Sequence, residues 1–325
     1  MNGRKFGCYT ALVTPFERTG NRWNHPINFH ALDSLVEFQI RGGVDGLVIM
    51  GSTGAASVVS HDEHVHVVAH VQKKFGEKIQ VIAGDGSNCT KEAIELARRI
   101  EQEAKVFAHL SISPYYNKPS DSGIIQHYKA IADNLEGNII VYSVPSRTSG
   151  LGILPDMAEE LAEYRNIRGR HNIIGIKEAS GDIERIRETI KRTHHKNFVV
   201  ISGDDSLTLP IIRIGGVGVI SVASNILPSD ITNLVHIALG TQNEDRYYKI
   251  KEDTDKKLQP LYSALFPKAR QGVIENPSAN PCLCYYALNK MGYNIGIPRL
   301  PLTDGESWEK EAMNKALRDL KLIKD

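Results

Sequence analysis

Eight short runs of apolar, largely β-branched residues recur along this chain at roughly regular intervals, each ending in small or polar residues. They fall at Cys8–Thr14, Gly46–Met50, Ile79–Ala83, Val106–Ser111, Ile139–Ser143, Ile173–Lys177, Phe198–Ser202 and Gly218–Val222. Helical patterns lie between them, at His61–Phe75, Thr90–Glu103, Ser122–Ala132, Met157–Glu163 and Asp182–Arg192. The first of these opens with Ser60 and Glu63 as a capping box and closes at Gly76. Strands alternating with helices in this number build parallel βα units. The spacing favours an α/β fold of the closed (β/α)8 type, the TIM barrel, over an open doubly wound sheet. No Gly-rich dinucleotide fingerprint follows the first run, which further weakens the open sheet. Beyond Asn225 the pattern is helical, over Leu227–Leu239, Asp245–Leu265, Pro277–Met291 and Ser307–Leu322. The expected organisation is a barrel over residues 1–225 that carries the catalytic groups, with a helical region over 226–325 packed on it.

The overall charge narrows the ligand. With 325 residues, net charge +1 and 24% charged side chains, the chain offers no electrostatic case for nucleic acid or a membrane surface, so a small molecule is expected. Cys8, Cys89, Cys282 and Cys284 lack the further paired ligands that zinc spacing requires, and reduced, buried thiols are expected. The opening Met1-Asn-Gly-Arg-Lys-Phe-Gly has no apolar signal core, and no later segment is long enough to span a membrane. The expectation is a soluble, cytoplasmic protein.

The stretch Asn172-Ile-Ile-Gly-Ile-Lys177-Glu-Ala-Ser-Gly-Asp182 reads as a buried strand that ends in a lysine. Period-two alternation puts Ile173, Gly175 and Lys177 on one face, and Ile174 and Ile176 on the other. Such a lysine has two options. It snorkels to solvent, or it is desolvated, which lowers its pKa and leaves a neutral amine able to form a Schiff base with a carbonyl. Barrel enzymes assemble their chemistry from the carboxyl ends of several strands, so the other ends bear on the choice. After the second strand, Gly51-Ser-Thr-Gly-Ala-Ala-Ser57 offers the Ser52 and Thr53 hydroxyls and turn N–H groups suited to a carboxylate, or is simply a tight βα turn. After the fourth comes Pro114-Tyr-Tyr-Asn-Lys-Pro119, whose adjacent tyrosines point opposite ways, so at most one enters a pocket. After the fifth comes Tyr142-Ser-Val-Pro-Ser-Arg147, with Tyr142 inward in phase with Ile140, as a core ring or as an acid–base group. Taken together, one amine, hydroxyls, phenols and a rim cation suit imine chemistry on an α-keto acid. Nothing in the set is placed to hold a metal, and no cofactor is expected.

From about residue 7 to 225, and more loosely through the tail, the chain resembles the pyruvate-dependent class I aldolases of the dihydrodipicolinate synthase and N-acetylneuraminate lyase family. The motifs that carry the resemblance are Gly-Ser-Thr-Gly, Tyr-Tyr-Asn-x-Pro, Tyr-x-Val-Pro-Ser-Arg and Gly-Ile-Lys-Glu-Ala, in family order and near family spacing. The resemblance implies Lys177 as the Schiff-base lysine and Ser52, Tyr116 and Tyr142 as a hydroxyl relay that moves protons. It implies Thr53 with Ser52 on the pyruvate carboxylate, and the carbonyl of Ile220 facing bound pyruvate. Arg147 would hold the carboxylate of an aldehyde substrate, which favours the synthase branch, condensing pyruvate with L-aspartate-4-semialdehyde. The alternatives are an aldolase cleaving N-acetylneuraminate or another keto-acid sugar, and a non-catalytic keto-acid sensor.

The same resemblance implies a homotetramer built of dimers, with Tyr116 crossing into a neighbour's site. It also implies an inhibitor site for lysine made by His61, His64, Asn88, Glu92 and Tyr115; the plainer reading of that segment is a solvated helix start whose Asp62 and Glu63 favour the helix dipole. The chain departs from the family pattern in three places. Ala55 stands where an acidic residue is usual, and extra residues precede the lysine around Asn166–His171. The tail has a longer loop around Lys268–Asn280, with Tyr285 in place of a basic residue.

Overall fold

The computed structural model describes residues 6–241, 243–268 and 277–324, so most of the loop around Lys268–Asn280 lies outside the described residues. Eight strands close a parallel barrel in sequence order. They are β1 (Gly7–Ala11), β2 (Gly46–Ile49), β3 (Gln80–Gly84), β4 (Ala108–Ile112), β5 (Asn138–Ser143), β6 (Ile173–Glu178), β7 (Val199–Ser202) and β8 (Gly218–Ser221). The (β/α)8 expectation is met, with strand ends shifted by a few residues. The intervening helices are α1 (Phe29–Arg41), α2 (His61–Phe75), α3 (Thr90–Glu103), α4 (Asp121–Asn134), α5 (Pro155–Glu163), α6 (Ile183–Thr193), α7 (Thr208–Arg213) and α8 (Pro228–Gly240). The tail adds α9 (Glu244–Leu265), α10 (Cys282–Lys290) and α11 (Ser307–Asp319).

Local chemistry explains most of these boundaries. Ser60 accepts from the Glu63 N–H while the Glu63 carboxylate accepts from the Ser60 N–H, which closes the capping box that starts α2. Asn28, Ser120 and Asp182 cap α1, α4 and α6 in the same way, each satisfying N–H groups that a helix start leaves open. Helix α10 begins five residues later than the Pro277 start expected from sequence, after Pro281 at its N-cap. Two helices had not been expected. Helix α1 carries a clear buried stripe of Ala31, Leu32, Leu35 and Val36, whereas α7 has only six residues, too few to display a period. Helix α8 packs on β1, β8, α1 and α7, so it completes the barrel's helical ring. On that packing we propose a division between barrel and tail after Gly240 rather than at residue 225.

Side chains alternate between two cores, as a barrel requires. Inside lie Tyr9, Val48, Ile82, Leu110, Ile140, Tyr142, Ile174, Ile201 and Ile220, while the alternate strand positions pack under the helices. Strand β6 breaks the alternation. Ile139 pairs with Ile173 but Ile140 pairs with Gly175, so Ile174 is an extra residue. This bulge puts Ile173 under the helices and Ile174 inside, which corrects the expectation that Ile173 shares a face with Lys177. Downstream of the bulge the period is restored, with Ile176 outward.

The extra residues around Asn166–His171 lie at the amino end of β6, opposite the carboxyl ends of the strands, and close the end of α4. Asn166 and Asn172 donate to the Ala132 carbonyl, and Asp133 accepts from the Ile167 N–H. Carbonyls that a helix end leaves unpaired are thereby satisfied. Barrel closure has its own fastener. Asn225 accepts from the Val13 N–H at 3.2 Å and donates to the carbonyls of Ala11 at 2.8 Å and Val222 at 3.0 Å, all buried. Asn225→Ala strands those groups without water and is expected to lower unfolding stability by about 2–4 kcal/mol. Urea denaturation checks this: the midpoint should fall with the slope unchanged, and an unmoved midpoint contradicts it.

Candidate active site

Strand β6 delivers Lys177 to the carboxyl end of the barrel, where it is only 5% exposed. The snorkelling option is thereby excluded. Its Nζ lies 4.3 Å from the centroid of the Tyr142 ring, and among the described residues no carboxylate comes within ion-pair distance. Burial pulls its pKa down to about 7, with Asp205 opposing and Arg147 adding to the shift. A large fraction of this amine is therefore neutral and nucleophilic near pH 7.

Tyr142 sits opposite Lys177 in the β5–β6 register. Burial pushes its phenol up to about 12, against the pull of Arg147 and of a hydrogen bond with Ser52. The phenol stays protonated at neutral pH and can donate. The ring packs in the barrel's inner core and also lines the cavity at its mouth.

The turn after β2 holds the hydroxyls. Met50 and Ala55 bracket it in the left-handed region, at φ 58° and 56°, conformations that cost a non-glycine residue strain. Neighbours hold it there. Thr14 donates to the Gly54 carbonyl at 2.7 Å, and a side chain at Gly84 would strike the Met50 carbonyl. Tyr285, the residue in place of a usual basic one, donates to the Thr14 carbonyl at 2.6 Å and stacks on Phe16. Arg299 pairs with both Glu63 oxygens and donates to the Val58 carbonyl. The methyl of Ala55 packs into the apolar core, so the turn needs no acidic side chain there for its shape.

The sequence reading passed over Asn280. Its Nδ2 donates to Thr53 Oγ1 at 2.9 Å, and its carbonyl accepts from Arg147 at 2.8 Å. The tail thus ties the hydroxyl turn to the rim guanidinium, and leaves the Thr53 proton free to donate. Asp205 was also given no role. Buried, it accepts from Ser221 and from the N–H groups of Val222 (2.9 Å) and Ala223 (3.1 Å), fixing the strand end that carries Ile220. A polar residue just past a barrel strand was the available signal for it.

A cavity of about 360 Å³ joins Ser52, Tyr142, Arg147 and Asn280 to His61, His64, Glu92 and Tyr115. Lys177 lies behind the Tyr142 ring and is not part of its lining. A wider open groove of about 750 Å³ runs between α2 and α3, but Arg99–Asp62 and Lys73–Glu103 pairs occupy its charges.

The structure does not bring every expected residue together. Tyr116 is 86% exposed and points away from its own barrel, while Tyr115 lines the cavity. The cause is local: Tyr116 adopts φ 72° where the Asn117 N–H bonds back to the Tyr115 carbonyl. Asn88 is outside the cavity, its carbonyl taken by Asn117. His61 and Glu92 are paired at 3.4 Å, and the His64 Nε2 lies 2.7 Å from the Gly84 carbonyl. Burial pulls His64 down to about 4, so it is neutral. Cys89 is exposed, unlike the three buried thiols, because it stands at the N-cap of α3.

With this geometry in hand, comparison with known proteins is decisive: the model of the dihydrodipicolinate synthetase family matches residues 5–320. The chain belongs to that family. A 4-hydroxy-tetrahydrodipicolinate synthase of Haloarcula marismortui is 42% identical over 91% of this chain and 88% of its own. Among solved structures, the dihydrodipicolinate synthase of Acinetobacter baumannii complexed with pyruvate superposes with a TM-score of 0.85 at 34% identity, covering 98% of this chain and 100% of that one. The enzyme from Cyanidioschyzon merolae with lysine bound gives 0.86 at 31%, covering 99% and 100%.

The buried amine of Lys177 can be titrated directly. Nitrogen NMR of the Lys177 side chain should show a midpoint near 7. Asp205→Asn should lower it further, because a neighbouring negative charge favours the ammonium. A midpoint at the ordinary lysine value would place the amine in solvent.

Proposed function

We propose that this chain is a pyruvate-dependent Schiff-base lyase that condenses pyruvate with L-aspartate-4-semialdehyde to 4-hydroxy-tetrahydrodipicolinate, on the route to diaminopimelate and lysine. The carrying observation is the desolvated Lys177 amine beside the protonated Tyr142 phenol. Ser52 and Arg147 share the cavity lining with Tyr142, and Asn280 ties Thr53 to Arg147.

The neutral amine of Lys177 attacks the pyruvate ketone, and water leaves as the imine forms. Ser52 and Thr53 hold the pyruvate carboxylate, with the Ile220 carbonyl facing the bound molecule. The imine nitrogen draws electrons from the neighbouring methyl, which loses a proton to give an enamine. The enamine carbon adds to the aldehyde, and Tyr142, hydrogen-bonded to Ser52, supplies the proton to the new hydroxyl. Arg147 meets the second substrate's carboxylate with a rigid donor fork. That substrate's amine then attacks the imine carbon, closes the ring and releases Lys177. A keto-sugar aldolase has no need of a guanidinium at the rim, so Arg147 argues for the synthase over the lyase.

The working form in this reading is a cytoplasmic homotetramer built of dimers. An exposed tyrosine held at a strained backbone angle suits that assembly: Tyr116 completes the hydroxyl relay of a neighbouring copy. His61, His64, Glu92 and Tyr115 share the cavity with the catalytic groups and suit an ammonium-bearing inhibitor, with Asn88 at its edge. Lysine bound to the Cyanidioschyzon merolae relative supports lysine as that inhibitor here.

Assay of both reactions tests the assignment. Wild type should condense pyruvate with the semialdehyde faster than it cleaves N-acetylneuraminate, and the opposite order refutes the synthase. Arg147→Ala should slow condensation by about 10–100-fold, the loss of one charge-assisted contact. Tyr142→Phe should lower turnover by about 10²–10⁴-fold; near-normal turnover would leave the ring a packing residue. Millimolar L-lysine should inhibit wild type and inhibit Glu92→Ala much less. Indifference of the wild type would refute the regulatory site alone.

A further inference from the structure

Behind the cavity wall lies a cluster that the proposed reaction does not use. His109, in the middle of β4, is fully buried. Its Nδ1 is 3.0 Å from Asp85 just past β3, and its Nε2 is 3.6 Å from Glu101 on α3. Asp85 is itself buried and lines the cavity with Gly84, Gly86, Leu110 and Ile112. Its other oxygen accepts from Ser111 at 2.6 Å. Glu101 also accepts from the N–H groups of Glu136 and Gly137 ahead of β5. Tyr128 of α4 donates to the Ser111 carbonyl, and Ser113 of the same segment donates to the Tyr142 carbonyl. One imidazole thus links the carboxyl end of β3, through Asp85, to the segment ahead of β5, through Glu101.

We propose that Glu101, His109 and Asp85 form a buried ion relay that holds the β3–β4 side of the cavity in its working arrangement only while His109 carries its proton. His109 is therefore a positioning residue, acting through Asp85 and Ser111. Nδ1 faces Asp85 at 3.0 Å and Nε2 faces Glu101 at 3.6 Å, and only a protonated ring can donate to both carboxylates at once. A neutral ring keeps a single N–H, so deprotonation gives up the ion pairing and one of the two donors. The groups facing the ring are Asp85 from β3, Glu101 from α3 and the backbone ahead of β5. From α4, His127 and Tyr128 face the Asp85 end of the relay. His127 is pulled down to about 4 by burial, so it adds no competing cation. Burial lowers the His109 pKa, but the two carboxylates outweigh it and bring the group up to about 9. His109 is a cation at neutral pH and loses its proton as pH rises through about 9. Losing that proton removes the cation beside Asp85 and leaves its carboxylate on the cavity wall with neutral donors such as Ser111, which is unfavourable in a buried setting.

The inference rests on the proposed condensation, and its test separates the two. Imidazole NMR of the free protein reads His109 without any substrate: a midpoint near 9 is expected, and an ordinary or lower midpoint overturns the relay. Condensation activity should then show an alkaline limb near the same pH. Glu101→Gln, a partly exposed change remote from Lys177, should keep near-wild-type activity at neutral pH. It should also move both the NMR midpoint and the limb down by roughly one pH unit, as expected when one nearby carboxylate is removed. Movement of the NMR midpoint without the limb shows His109 to be structural only and overturns the positioning role. His109→Gln should abolish the limb and lower kcat more than it changes KM. Should that variant fail to fold, Glu101→Gln decides alone.

Discussion

The desolvation of one ammonium at the end of β6 is the constraint around which this protein is built. Water would hold Lys177 charged and inert; the barrel interior removes the water, and Asp205 compensates only in part. The same burial pushes the Tyr142 phenol, already protonated at neutral pH, up to about 12. Burial thus makes a substantially neutral amine available beside a protonated phenol at neutral pH, the pair on which the proposed chemistry rests. Strand geometry alone does not achieve this. The bulge at Ile174 resets the phase of β6 so that the amine faces inward next to Tyr142 rather than outward under the helices.

Around that pair the surroundings are braced to an unusual degree by the tail. A turn with left-handed residues at both ends would relax without outside support. Tyr285 supports it through Thr14, Arg299 grips the helix that follows it, and Asn280 joins its Thr53 to Arg147. The helical region therefore belongs to the site. The acidic residue missing at Ala55 is not needed for this bracing, which passes through backbone carbonyls and the Glu63 carboxylate.

The barrel, and the candidate residues Ser52, Tyr142 and Arg147 that line one cavity at its mouth, were legible in sequence because strand runs, capping boxes and motif order are local signals. What escaped was non-local or too short. The bulge at Ile174 is invisible in an unbroken apolar run, and period two applied blindly puts Ile173 on the wrong face. Helix α7 is shorter than two turns. The tail residues that brace the turn act across more than 200 positions, as Asn280 does on Thr53. His109 did leave a trace: a histidine inside the apolar run Val106–Ser111 needs a partner once buried, and Asp85 just past the previous run is the obvious one. Tyr116, expected to reach a neighbouring copy, is exposed on its own chain, and that direction depends on a left-handed turn that no motif announces.

The central claim is that burial makes Lys177 a neutral amine that captures pyruvate covalently. Intact-mass measurement after borohydride treatment, with and without pyruvate, tests it most directly. The account predicts one reduced pyruvate adduct per chain, located on Lys177 by peptide mapping, formed faster as pH rises through about 7, and absent from Lys177→Ala. An unchanged mass in a protein shown to be folded, or an adduct on another lysine, would contradict it.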